Sequence, residues 1–388
     1  MVNLYVKVWD NKVEGLDSPG GDLTLWGMKL GEVVGWAAAK AGLKLVEEIV
    51  PGIETLIVEG GLAVRPEALT LLVKAGRKTN SDCRLAIGGD VGAFVQSTLF
   101  DLASADVFYL TASGTEDFEA RMDNSDVVTV TPKERIMEVA NGIDWIVSDH
   151  IVAPIRHWNT LLWLNLLGLG PRLWGECVQR PAIWGAMRCT WAGLTKLSWS
   201  VESLSAALTS KGSGVRIHKS AVVEGCILGT GVSIGPNAVV RGSIIGSGSV
   251  IEAQSLVEGA ILGSKVLVQR QAMLKYSLVE EGACVAGTAQ LSVFGANSSL
   301  KAGSFTMDQA LEGDVYVLVG NSKIAAPNNM VGACLGEGTT VGSGVWIAPG
   351  RSVGPGLNIV RGQVLTDPSN EANNGDVHVV TDGKLVKR

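Results

Sequence analysis

Histidine is the side chain most often used as a general base near neutral pH. This chain has four, His150, His157, His218 and His378, and none lies between 219 and 377. The six cysteines (Cys83, Cys177, Cys189, Cys226, Cys284, Cys334) form no CxxC pair and no close cluster. In a chain this long they read as reduced thiols of a cytosolic protein, not as a disulfide frame or a zinc site. Asn297 and the pair Asn328-Asn329 are ligand-capable, but asparagine is also a common turn residue, and a structural role in turns is expected. The net charge of −6 excludes a general nucleic-acid binder, which needs a basic surface.

What would position these residues is visible in the second half. Aliphatic residues fall at Ile217, Val223, Leu228, Ile234, Val240, Ile245, Ile251, Val257, Leu262, Val268, Leu274, Val279, Val285 and Leu291, in steps of five or six. Any three consecutive steps span 17 residues. The corners repeat with them: EGCILG at 224–229, RGSIIG at 241–246, EGAILG at 258–263 and a worn copy, KYSLVE, at 275–280. A second run follows through Leu318, Ile324, Met330, Leu335, Val341, Ile347, Val353 and Ile359. Residues 292–317 between them read as an irregular coil or a loop thrown out from the repeat. The pattern means a triangular solenoid, with one short strand and a turn per hexapeptide and three hexapeptides per coil. Glycine after the inward aliphatic residue suits a turn with unusual backbone angles.

Units such as LGTGVS, IGPNAV, IGSGSV, LGEGTT and VGSGVW resemble the hexapeptide-repeat family, whose fold is a left-handed parallel β-helix. The resemblance implies a homotrimer formed side by side through the prisms. Its acyltransferase members use acyl-CoA and a histidine base between two prisms; only His218, on the first rung and exposed, could serve here. A zinc site of three histidines in the prism is excluded by their absence from 219–377.

The first half alternates strands and helices, which predicts an α/β domain with a mainly parallel sheet over 1–150. Strands are expected at 2–8, 54–58, 83–87 and 143–147, and a turn at Asp10-Asn11. A helix is expected over 32–48 and another from Pro66, where the missing N–H is not needed. Thr131-Pro132-Lys133-Glu134 has capping-box spacing, predicting a short helix that stops at Asn141-Gly142.

LIVEGGLAVRPEALTLLVKAGRKTNSDCRLAI (56–87) and NGIDWIVSDHIV (141–152) resemble the sugar-phosphate nucleotidyltransferases, several of which also join an α/β half to a left-handed β-helix. That resemblance implies a Gly-Asp whose carboxylate holds Mg²⁺, and a glycine-rich loop with Arg and Lys around the nucleotide phosphates. This chain departs from both. Gly60-Gly61 stands at the Gly-Asp position, leaving Asp90 in GGDV as a candidate substitute metal ligand and catalytic carboxylate, against the preferred reading of a solvated loop residue. LWGMKLGE (25–32) offers Lys29 but no Arg, and too few residues follow it to build a base pocket. The expected fold is therefore a truncated nucleotidyltransferase-like domain followed by a β-helix, with catalysis lost and a structural, regulatory or ligand-binding role. The alternative is an active enzyme, a sugar-1-phosphate nucleotidyltransferase with Mg²⁺ and nucleotide or an acyltransferase with acyl-CoA.

Residues 151–214 form a Trp-rich connector before the prism at 215–365. Over 151–219 lie six of the eleven tryptophans and eight Lys/Arg against two Glu. NTLLWLNLLGLG and GLTKLSWSVESLSAAL read as two helices around Gly170-Pro171 and Pro181. The preferred reading is a connector packed between domains or subunits; the competing one is a peripheral membrane or protein-partner adaptor. Residues 366–388 read as a polar linker and a terminal hairpin with Asp382-Gly383 in its turn, extending the sheet or pairing with the first strand. The N-terminus lacks the order of a signal peptide and no transmembrane run is present, so the expected location is the cytoplasm.

Overall fold

The computed structural model describes residues 2–7, 12–16, 20–59, 61–87, 107–112, 118–130, 135–139, 143–147, 151–177, 207–310, 312–319, 321–362, 378–381 and 384–387. The α/β part opens with β1 (Asn3–Lys7), a two-strand ribbon β2 (Thr24–Leu25) and β3 (Met28–Lys29), and α1 (Leu30–Ala41). There follow β4 (Lys44–Val46), β5 (Thr55–Glu59), β6 (Leu62–Val64), α2 (Pro66–Thr79), β7 (Cys83–Ile87), β8 (Val107–Leu110), α3 (Phe118–Asp123) and β9 (Asp126–Val130). Six strands make one sheet in the order β4-β1-β5-β8-β7-β9. Its pairings are parallel except the two made by β8. Leu56, Val58, Leu69, Leu72, Leu85 and Tyr109 lie in the core that α1 and α2 share with the sheet.

Two local expectations are corrected. The helix expected over 32–48 stops at Ala41, because Gly42 takes a left-handed conformation (φ 70°) and its N–H closes on Ala38 and Ala39 carbonyls. Lys44–Val46 then becomes an edge strand beside β1. The helix expected before Asn141-Gly142 is instead a β-hairpin, β10 (Arg135–Val139) against β11 (Ile143–Val147). Asn-Gly between apolar runs is the stronger hairpin signal, and it outweighs the capping-box spacing. Pro66 opens α2 as expected.

After β12 (Val152–Pro154), α4 (Trp158–Cys177) runs on through Pro171 as one helix. Every residue from Trp158 to Leu169 is buried. A helix buried all round must sit between layers, and α4 does. Trp158, Leu161, Leu162 and Leu166 share one core with Leu25, Trp26 and Ala63 of the α/β part and with Ile244, Ile261, Leu278, Val293 and Cys334 of the prism. Of the six tryptophans in this stretch, Trp158 and Trp163 are buried and Trp174 is exposed; Trp184, Trp191 and Trp199, with the second expected helix up to 206, lie outside the described residues. Among the described residues no helix is long and apolar enough to cross a membrane.

The prism is a left-handed parallel β-helix of three sheets with eight, eight and seven strands. Ile227 pairs with Ile244 and Ile244 with Ile261, one 17-residue coil apart. The inward residues expected through Val285 are inward: Ile234, Ile251, Val257 and Val268 are fully or nearly fully buried in the prism's own core. The glycine after the inward residue is needed for another reason than expected. A Cβ on Gly229 would come within 2.7 Å of Ser247 N on the next coil, whereas the left-handed angles fall at other residues of the corners, as at Gly225 (φ 58°) and Gly231 (φ 72°).

Between Val285 and Leu335 the reading is corrected, whereas Leu335, Val341 and Ile347 are inward as expected. Leu291 is not inward; it takes a left-handed corner conformation (φ 49°) and packs outside, towards α4. The inward positions are Ala289, Phe294, Leu300 and the buried Thr306, so residues 292–306 are regular coil. The excursion is 307–331, because Phe305 pairs directly with Trp346. It carries a hairpin, Tyr316–Val319 against Ser322–Ala325, so Leu318 and Ile324 are hairpin residues. Met330 packs in the α4 core and not in the prism. Asn297, Asn328 and Asn329 all have positive φ, which bears out turn asparagines. The C-terminal hairpin forms, His378–Thr381 against Lys384–Lys387, and among the described residues pairs with nothing else. The turns expected at Asp10-Asn11 and Asp382-Gly383 lie outside the described residues.

Candidate functional site

The position corresponding to the expected metal carboxylate follows β5. Gly60 lies outside the described residues. Gly61 has φ 81° and its carbonyl accepts a hydrogen bond from Ile155 N at 3.3 Å. Beyond it β6 pairs antiparallel with β12, Leu62 opposite Pro154. The strand entering α4 thus engages the backbone at this point, and no side chain projects from Gly61. Asp90 lies outside the described residues. Among the described residues no three His, Cys, Asp or Glu side chains are grouped as a metal site would require.

The segment 25–32, the candidate phosphate loop, is a tight ribbon as far as Lys29 and then the first turn of α1. Thr24 faces Lys29 and Leu25 faces Met28, with Trp26 and Gly27 both in positive-φ conformations (52° and 78°). Two such residues between paired strands make a two-residue hairpin turn. Its tip is plugged into the protein. Trp26 is fully buried; its Nε1 donates to Leu164 O and its backbone N to Asn165 Oδ1, both at 2.8 Å. A Cβ on Gly27 would stand 2.6 Å from Ile244 Cγ2 of the prism, and a Cβ on Gly168 would overlap the Trp26 ring. Glycine is required at both places by close approach. Lys29 donates to Asp22 O at 2.7 Å and lies 3.8 Å from Glu281. The structure places it at the joint between the α/β part and the prism.

The joint holds a residue the sequence reading passed over. Glu280 is buried, and its carboxylate accepts from Thr24 N at 2.8 Å and Thr24 Oγ1 at 2.6 Å. Burial pushes its pKa up to about 7, against the opposing pull of the two Thr24 hydrogen bonds and of Lys29. The available signal was the worn corner KYSLVE: Glu280 occupies the rung position held by Gly246 and Gly263 in earlier coils.

His218 is exposed, and its Nδ1 is 2.8 Å from Ser220 Oγ and accepts from Ser220 N. It closes its own turn and meets no second catalytic group among those contacts. His157 is buried and held neutral, its pKa lowered to about 4 by desolvation. Its Nδ1 accepts from Asn159 N, so Nε2 carries the proton and donates to Leu318 O at 3.2 Å. It pins the start of α4 to the excursion hairpin. His150 lies outside the described residues.

Three stacked parallel sheets and a 17-residue coil define the second half. Residues 207–304 match the family model described as the GMPPB C-terminal domain. The repeat is thus of the hexapeptide kind found in a nucleotidyltransferase C-terminal domain. The match ends just before the excursion at 307–331. No curated protein matches the chain. Among solved structures, a hexapeptide transferase family protein from Anaplasma phagocytophilum is 18% identical, with 37% of this chain and 70% of that chain covered and a TM-score of 0.20.

The three faces of this β-helix differ. One, through Ile244, Ile261, Leu278 and Val293, is covered by α4 and the ribbon. A second presents Arg216, Ser233, Val250, Leu267, Cys284 and Ser299 in register. The third presents an apolar column, Val222, Val239, Leu256, Met273, then Thr288, Phe305 and Trp346. Met273 is 38% and Trp346 72% exposed. Beside this column run two ion pairs, Arg241 with Glu224 at 2.8 Å and Lys275 with Glu258 at 3.2 Å.

Proposed function

We propose that the chain is a nucleotidyltransferase-like protein without nucleotidyl transfer, acting as an assembled structural, regulatory or ligand-binding protein. The observation that carries this reading is the buried ribbon. The stretch that would have to wrap nucleotide phosphates has its tip tryptophan fully buried and its lysine committed to the joint. Gly61 supports it, because phosphoryl and nucleotidyl transfer need a metal held where several negative charges meet. Restoring one carboxylate does not rebuild the loop, and a side chain at φ 81° is strained as well. No pyrophosphate release is expected from any common NTP with sugar 1-phosphates and Mg²⁺, for the native chain or for Gly61→Asp. Metal-dependent turnover by the native chain, abolished by Asp90→Asn, would overturn the reading and make Asp90 the ligand.

Assembly as a homotrimer is part of the same proposal. On the first face Ile244, Ile261, Leu278 and Val293 are already buried against α4. The third face, with its apolar column and flanking ion pairs, suits a second copy of this chain better than the second face, where Arg216, Ser233 and Ser299 interrupt the apolar residues. Sedimentation at micromolar concentration should give a trimer for the native chain and a monomer for the doubly substituted Met273→Glu, Trp346→Glu. Both residues are exposed, so the fold should survive; a native monomer would remove this part of the proposal.

A further inference from the structure

A cavity of about 330 Å³ opens between α1, the start of α2 and the second half of α4. Gly61 and Lys29 do not line it. That volume is in the range of small-molecule sites. Three cations from three separate elements line it: Lys40 on α1, Arg65 at the entry to α2 and Arg172 on α4. The two guanidinium groups are held by aromatic rings. Arg65 lies 5.4 Å from the Trp26 ring centre and 5.5 Å from that of Trp36, and Arg172 lies 5.7 Å from Trp36. Stacked arginines keep their planar donor edges directed and lose little freedom on binding. Two carboxylates also line the cavity, Glu67 at 3.7 Å from Arg65 and Glu176 at 2.8 Å from Arg172. They leave one net positive charge, and α2, fourteen residues long, adds the positive end of its dipole where Pro66 and Glu67 line the wall. Two further features point to a ligand. Arg172 Nε is buried and makes no hydrogen bond to a described residue. Gly175 lines the wall with nothing within 4 Å of where its Cβ would be, so the helix backbone is bare to the cavity.

We propose that this cavity binds a phosphate group, free or esterified to a small molecule, between Lys40, Arg65 and Arg172. Arginine forks and a helix start are the common partners of phosphate oxygens. The proposal stands whether or not nucleotidyl transfer is lost, because it shares no residue with the position of Gly61. The test is calorimetric titration of the full chain with inorganic phosphate, pyrophosphate and glycerol 3-phosphate. Saturable binding is expected, weakened about tenfold or more by Lys40→Gln and by Gly175→Leu. Lys40 is exposed and the Gly175 side is open, so both variants should fold. Lys29→Gln, a cation of the joint, should leave affinity unchanged. Glycerol 3-phosphate binding more tightly than inorganic phosphate assigns an ester ligand, and equal binding assigns the free ion; either supports the site. No binding of any probe at millimolar concentration, or binding that Lys40→Gln and Gly175→Leu leave unchanged, overturns it.

Discussion

Ile251→Asp is expected to leave the chain insoluble, or folded only in its α/β part. Ile251 is fully buried and stacks in the prism between Ile234 and Val268, one coil to each side. Its interior neighbours are aliphatic, so a carboxylate there finds neither a partner nor water. Keeping it neutral at pH 7 or leaving it charged and unpaired costs on the order of 5 kcal/mol. The same change also forfeits the aliphatic contacts of Ile. Whole domains are stable by only about 5–15 kcal/mol. Ile251→Val is the control and should cost about 1 kcal/mol. Soluble yield and thermal melts of the two variants decide the matter. An Ile251→Asp chain that melts like the native one would mean that Ile251 does not face inward.

The joint between the α/β part and the prism should strengthen on acidification. Glu280 titrates at about 7 when folded, against an ordinary value of 4.5, because burial disfavours its charge more than Thr24 and Lys29 favour it. Between those two pH values the folded chain holds a proton that the unfolded chain has released. The sign follows from that difference. The contribution of Glu280 is fully present below about pH 4.5 and is lost as pH rises through 7. The shift corresponds to about 3 kcal/mol. Glu280→Gln keeps the shape and an acceptor for Thr24 N but cannot titrate. Lowering the pH from 8 to 5.5 should therefore raise the native melting temperature relative to that of Glu280→Gln. Parallel curves for the two proteins would mean that Glu280 does not carry the dependence.

The prism was legible up to Val285 and again from Leu335, because its interior accepts one kind of side chain there, and spacing alone reveals it. The reading slipped where the interior changed composition. Ala289 and Phe294 lie inward on successive strands of one coil, stacked on Leu274 and Val279, a small residue offset by a large one in place of the branched aliphatics. Leu291, an aliphatic residue in a corner, drew the register outward. The excursion, 307–331, lies later than the aliphatic spacing places it, for the same reason. In the α/β part, local spacing near 131–134 suggested a helix, but strand pairing across Asn141-Gly142 won. The ribbon at 24–29 is not legible from local sequence. Trp26-Gly27 carries no strong turn signal, and its positive angles hold because α4 and the prism close over the tryptophan. Glu280 was visible only as damage to a repeat; its reason lies in Thr24, 256 residues away.

A stacked rod opens from its ends, because each coil is held only by its neighbours. Here five successive coils, those of Ile244, Ile261, Leu278, Val293 and Cys334, share one side wall with α4. That wall acts as a splint across the rod. The coils beneath it can separate only if the wall lifts away too, whereas the last strands, Ser352–Val353 and Asn358–Ile359, have half-buried inward residues. Fraying from that end therefore stops at the splint, and the amide protons of the middle coils should be the slowest in the prism to exchange with solvent.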